Sequence, residues 1–159
     1  MINVRIEEKP EFTVSGTKVW ISGQDNELFG RFWQECNENG TTDTLKKAST
    51  DPMENVTQSR IMGISRVEED PDNRAFDFYI ASESENVEGF EVFQIKAGKW
   101  AIFTGDGKDA MALIRAEMEA FMNWLPNSDY IHDFRPELEV YPETEDVYVE
   151  FWLPIKEKE

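Results

Sequence analysis

The chain is predicted to fold as an α+β protein. Duplicated strand-helix-strand-strand units would form a mostly antiparallel sheet, with helices on one face and a groove on the other. Two internal similarities and one long amphipathic stretch carry this prediction. Phe76-Asp77-Phe78-Tyr79-Ile80 matches Val149-Glu150-Phe151-Trp152-Leu153 in type: apolar, acid, aromatic, aromatic, apolar. Phe12-Thr13-Val14-Ser15-Gly16 runs into a Val-Trp-Ile segment and then Gly23, as Phe93-Gln94-Ile95-Lys96-Ala97-Gly98 runs into Trp-Ala-Ile-Phe and then Gly105. Residues 107–125 place Ala110, Leu113, Ile114, Met118, Phe121 and Leu125 at the i, i+3, i+4, i+7 spacing of an amphipathic helix. At 159 residues the chain suits one domain, 1–159, made of pseudo-repeats at about 1–82 and 90–159.

The elements follow in order. Residues 11–21, rich in Thr, Val, Trp and Ile, read as a strand with Gly16 as a bulge. Ser22 to Asn26 supplies a turn and a helix N-cap, and Leu28, Phe29, Phe32 and Cys36 follow at helical spacing until Gly40. Residues 43–49 form a further short helical turn, and residues 50–57, with Pro52, are loop. Residues 58–67 and 74–81 make a hairpin around Glu68-Glu69-Asp70-Pro71-Asp72-Asn73. The polar linker 83–89 leads to a strand at 91–104, the helix at 107–125 ended by Pro126, and strands at 137–142 and 147–154.

Charge narrows the function. Asp and Glu number 33 against 16 Lys and Arg, a net charge of −17. Such a surface repels phosphate backbones and anionic membranes and attracts cations, so neither nucleic acid nor membrane is an expected partner. One cysteine, Cys36, allows no internal disulfide, and its place on a helix stripe marks it as core. The first twenty residues lack the basic start and apolar core of a secretion signal, and no apolar run approaches the ~18 residues needed to cross a bilayer. A cytoplasmic location is expected.

Side-chain parity in the last two strands selects the candidate site. Val147, Val149, Phe151 and Leu153 share one face, fit for helices, which leaves Tyr148, Glu150 and Trp152 opposite. Assigning Leu138 and Val140 to the helix face leaves Glu139 and Tyr141 opposite as well. The groove face then gathers Glu139, Glu150, Tyr141 and Trp152, with Trp100 and Tyr79 as further walls. Carboxylates supply counter-charge and rings supply cation–π attraction, which together suit a small lipophilic cation. A sheet face stabilised by aromatic cross-strand pairs explains the same residues without any ligand.

Other motifs carry less. His132 has no serine nucleophile signature around it and no second ligand at metal spacing, and reads as a surface residue. Gly105-Asp106-Gly107 lacks the lysine and serine of a phosphate loop, and Asp70-Pro71-Asp72-Asn73 lacks the rest of a calcium loop. Trp33 beside Phe32 is assigned to the core. No metal, cofactor or catalytic residue is expected.

Ala97-Gly98-Lys99-Trp100-Ala101-Ile102-Phe103, Asn123-Trp124-Leu125-Pro126-Asn127-Ser128-Asp129-Tyr130, Pro136-Glu137-Leu138-Glu139-Val140-Tyr141 and the closing Val149-Glu150-Phe151-Trp152-Leu153-Pro154-Ile155 occur in one order along the chain. In that order they resemble the GyrI-like, or AraC-type effector-binding, domains. The opening Glu8-Lys9-Pro10-Glu11-Phe12-Thr13-Val14-Ser15-Gly16 fits them too, and Asp129 replaces their usual glycine. The resemblance implies a groove for small, often cationic or hydrophobic molecules, with Glu139 in the place of the acidic residue that meets the ligand's charge. Many members are fused to a DNA-binding helix-turn-helix. The resemblance here is to stand-alone members, which act as effector sensors or sequester ligands. Two alternatives come with it: an acidic protein-binding inhibitor of the gyrase type, and a hydrolase of reactive electrophiles using a groove glutamate.

Overall fold

A computed structural model describes residues 2–22 and 27–158. Of the turn and N-cap expected at residues 22–26, residues 23–26 lie outside the described residues. Along the chain run β1 (Asn3–Lys9), β2 (Phe12–Ile21), α1 (Glu27–Glu38), α2 (Thr41–Ala48), β3 (Ser59–Arg66), β4 (Phe76–Glu83), β5 (Glu91–Ile95), β6 (Gly98–Thr104), α3 (Ala110–Met118), β7 (Tyr130–His132), β8 (Glu137–Pro142) and β9 (Glu150–Glu157). The nine strands among the described residues form one antiparallel sheet, in the order β1-β6-β9-β8-β3-β4-β2-β5, with the short β7 also on β9. This is the expected α+β architecture.

The long strand expected at 91–104 is two strands. β5 runs along the start of β2, with Ile95 opposite Phe12 and Phe93 opposite Val14. The two segments that look alike in sequence are therefore hydrogen-bonded neighbours. β1, the other edge strand, pairs with β6 along its whole length. Gly16 is no bulge: its register with Ala81 and Glu91 is continuous. A Cβ there would stand 2.6 Å from the Ile80 carbonyl oxygen, so close strand packing is what requires glycine.

Cross-strand partners share a face, so the register sorts the side chains. One row runs Ile80, Gly63, Glu139, Phe151, Phe103 across five strands. Its β4 end packs under α1 and α2 with Cys36, Leu45 and Phe78, and its β9–β6 end packs under α3. Both helix layers thus cover one face, and a cleft separates them at Gly63 and Glu139. The next row runs Tyr79, Ile64, Leu138, Trp152, Ile102 on the other face. There the sheet curls until Phe12, Val14 and Ile95 join one core with Trp100 and Ile102, although β2 and β6 are far apart in strand order.

Helix α3 differs from expectation in its packing face. Leu113, Phe121 and Leu125 pack on the core as expected, but Ala116 and Ala120 are the residues buried with Phe103, Phe151 and Leu153, whereas Ala110, Ile114 and Met118 are exposed. Bulky rings on the sheet leave room for small residues where the helix comes closest, with Leu113 and Phe121 packing beside them. The Asp109 carboxylate caps α3 by accepting from the Met111 N–H at 3.1 Å. The helix widens to a π turn over Glu119–Trp124 and ends in a 3₁₀ turn at Leu125–Asn127. No helix among the described residues is long and apolar enough to cross a membrane.

Candidate functional site

Strand β8 places Glu137, Glu139 and Tyr141 on the helix face, at alternate positions along the floor of the cleft. The parity assumed for β8 is thereby reversed. Leu138 and Val140 pair with Trp152 and Glu150 and point inward, so Glu139 and Tyr141 point at the helices. Apolar residues mark the helix face only when the opposite face is wet, and here both faces are covered. The six candidate residues accordingly divide. Glu139 and Tyr141 stand in the cleft; Glu150, Trp152, Trp100 and Tyr79 stand on the curled inner face.

The inner four are tied to one another and to the edges. Trp100 and Trp152 are fully buried, with centroids 5.6 Å apart in an edge-to-face contact. The Trp152 indole donates to Glu150 Oε1 at 3.1 Å, and Glu150 Oε2 pairs with Arg5 Nη1 at 3.0 Å. The Tyr79 hydroxyl donates to Glu91 Oε1 at 2.9 Å, and its ring lies 4.8 Å from that of Phe93. The Arg135 guanidinium sits 4.5 Å over Trp100 in space that Gly98 leaves open.

In the cleft, Glu139 is the centre. Its Oε1 accepts from the Trp33 indole N–H at 3.0 Å and from the Tyr141 hydroxyl at 3.1 Å. Its other oxygen accepts no hydrogen bond among the described residues. Trp33 is therefore more than core: it leans from α1 against Tyr141, at 5.4 Å and 79°, and holds the carboxylate. Gly63 of β3 makes the space, since a Cβ there would meet the Glu139 carboxyl at 2.5 Å. Burial raises the Glu139 pKa to about 7, with the Tyr141 and Trp33 hydrogen bonds pulling it down. The Tyr141 hydroxyl is pushed far up by burial and by the neighbouring carboxylate.

Two cavities flank Glu139 along the strip. One, of about 350 Å³, lies at the Tyr141 end and is walled by Tyr141, Tyr148, Lys46, Arg60 and Lys108 among others. The second, of about 440 Å³, lies at the Glu137 end and is walled by Arg74, Glu117, Met118, Phe121, Met122 and His132 among others. Burial pulls Glu137 upward, but hydrogen bonds and charge from His132 and Arg74 outweigh it and hold this carboxyl below its ordinary value. His132 is no surface residue, because Nε2 sits 3.0 Å from Glu137 Oε2 with its side chain largely buried. Burial, and then the charges of Glu139 and Glu137, raise Glu117 to about 8.

Trp33 and Glu117 were not among the candidates. Trp33 follows Phe29 by four residues and precedes Cys36 by three, on the margin of the α1 stripe. Glu117 has a plainer signal: it follows Leu113 by four and precedes Phe121 by four, a lone acid inside an apolar stripe. Among the described residues no group of three His, Cys, Asp or Glu is placed to hold a metal ion.

Residues 5–155 match the family described as Cass2, integron-associated effector binding protein. The fold is similar to that of SAV2435 bound to tetraphenylphosphonium, with a TM-score of 0.80 at 18% identity over 97% of this chain and 94% of that one. It is also similar to the integron cassette protein VCH_CASS2 from Vibrio cholerae, at 0.70 and 17% identity over 96% and 95%. The EcmrR C-terminal domain gives 0.61 and 14% identity over 99% of both chains. Identities this low speak for the fold alone. No curated protein matches the chain.

Proposed function

The chain belongs to the Cass2 family of integron-associated effector-binding proteins, and on that premise we propose that its cleft binds small lipophilic cations, with Glu139 as the counter-charge. The single observation that carries this reading is the half-satisfied Glu139 carboxyl. Two donors fix one oxygen, and the other accepts no hydrogen bond among the described residues. A carboxylate set on a rigid strand, walled by Trp33 and Tyr141, attracts positive charge by Coulomb and cation–π terms that are stronger away from bulk water. That SAV2435 binds tetraphenylphosphonium supports the ligand class.

In this reading the strand and helix fix the geometry before the ligand arrives, so little ordering cost is left for binding. Tyr141 and Trp33 keep the carboxyl aimed. The inner four residues stiffen the sheet that carries it. The net charge of −17 favours cation approach over a longer range.

The test is a calorimetric titration with tetraphenylphosphonium at pH 7.5. Glu139→Gln is expected to weaken binding at least tenfold, about 1.4 kcal/mol, with a melting temperature no lower than that of the parent. Unchanged affinity would remove Glu139 from the site.

A further inference from the structure

Glu117 is a half-buried acid that a single positive charge at Glu139 leaves unexplained. It reaches from α3 into the larger cavity, where Met118, Phe121 and Met122 make an apolar wall. Its carboxyl makes no hydrogen bond and no ion pair among the described residues. The nearest cation is already engaged: Arg74 gives Nη2 to Glu137 Oε1 at 2.9 Å and Nη1 to Oε2 at 3.3 Å. His132 is engaged on the same carboxylate. The charged groups facing Glu117 are Arg74 and Asp72 from the β3–β4 turn, His132 from β7, and Glu137 and Glu139 from β8. An unpartnered carboxyl held near two others in an apolar cavity is costly to ionise unless something positive occupies the space.

We infer that the cavity beside Glu117 is a second cation subsite, so that the preferred ligands are aromatic dications with one charge at Glu139 and the other at Glu117. The inference rests on the Glu139 reading and adds a ligand class to it. Glu117 lies close enough to Glu139 for their charges to interact, and the cavity it lines opens beyond Glu137, which is itself roughly 7 Å from Glu139 along β8 at about 3.3 Å per residue. Bipyridinium salts carry their two charges at about that spacing on a flat ring system. Benzyl viologen is therefore the dication probe, and N-benzyl-4-phenylpyridinium is its singly charged counterpart of similar shape.

Both carboxyls are largely protonated at pH 6.5, so each cation seated against one displaces a proton. Calorimetry at that pH, in two buffers of different ionisation enthalpy, reads affinity and proton release together. Benzyl viologen is expected to bind at least tenfold more tightly than the monocation and to release about one proton more. Glu117→Gln should abolish that advantage, weakening the dication at least tenfold and the monocation less than threefold. The proton count requires no variant, so it stands even if Glu117→Gln folds poorly. Equal affinity and equal proton release for the two probes would overturn the inference. So would a Glu117→Gln variant that binds both as the parent does while Glu139→Gln weakens both, an outcome that leaves the Glu139 reading intact. If Glu139→Gln weakens neither probe, the underlying reading fails.

Discussion

At the scale of the residue, the proposed function turns on one carboxyl group and its neighbours. Trp33→Phe keeps a ring beside Tyr141 but removes one of the two donors to Glu139 Oε1. Losing a donor to the charged form lets burial raise the pKa above about 7. A permanent cation needs the ionised form, so affinity rises as pH climbs through that value. We expect the midpoint of tetraphenylphosphonium affinity against pH to move upward in Trp33→Phe, with roughly three- to tenfold weaker binding at pH 7, about 0.7–1.4 kcal/mol. A pH series of titrations reads this, and an unmoved midpoint would count against it. Gly63→Ala tests the space rather than the charge. Its Cβ would meet Glu139 at 2.5 Å, so the carboxyl must swing away, with an overpacking cost of about 1–3 kcal/mol. The expected result is a lower melting temperature together with lost cation binding, and native affinity in that variant would contradict the geometry.

At the scale of the element, α3 is held by its small residues. Ala116 lies against the sheet in contact range of Phe103 and Phe151, so Ala116→Leu should lose about 1–3 kcal/mol by overpacking, whereas Ile114→Gln on the exposed side should change stability within about 0.5 kcal/mol. Chemical denaturation of the two variants checks the contrast, and a larger loss at Ile114 would reverse the assigned face. The same helix shows how far the sequence can be read. Its position was legible from the 3.6-residue period, and Leu113, Phe121 and Leu125 pack as that period suggests, but the bulk of the rings on β6 and β9 turns Ala116 and Ala120 inward and leaves Ile114 and Met118 exposed. Strands β3, β4 and β8 were legible from their turns and apolar runs. Strand β1, with charged residues at every second position from Arg5, was not read as a strand, since its partner β6 lies ninety-odd residues away. Glu139 was legible as a candidate site residue, but its direction was not. The alternation of β8 is the same on either face, and the cover on both sides erases the usual cue. Glu150 and Trp152 were chosen by that same cue, Trp100 and Tyr79 were added to them as walls, and the curl of the sheet brings all four to its inner face.

At the scale of the whole molecule, acids with raised pKa make the fold sensitive to pH. Burial lifts Glu83 to about 7 against the hydrogen bonds it accepts from the Val56 and Thr57 N–H groups, and Glu139 and Glu117 stand at about 7 and 8. Each holds its proton in the folded state over a range where the unfolded chain, near 4.5, has released it. Their contribution is therefore complete below about 4.5 and is lost as pH rises toward 8. Glu137, held below its ordinary value, acts in the opposite sense, favouring the fold above 4.5 and failing it in stronger acid. The ligand-free protein should melt at its highest temperature near pH 5 and progressively lower to pH 8. Glu139→Gln should flatten that decline, and a melting temperature that rises from pH 5 to pH 8 would refute the assignment. The exchanged edge strands bear on how the chain is made. While it is being synthesised, β1 waits for residues 98–104 and the open edge of β2 waits for residues 91–95. Until then a nascent chain carries unpaired strands, the kind of edge that recruits other chains. Fragment 1–82 expressed by itself is accordingly expected to aggregate, and co-expression with fragment 83–159 to return soluble, cation-binding protein.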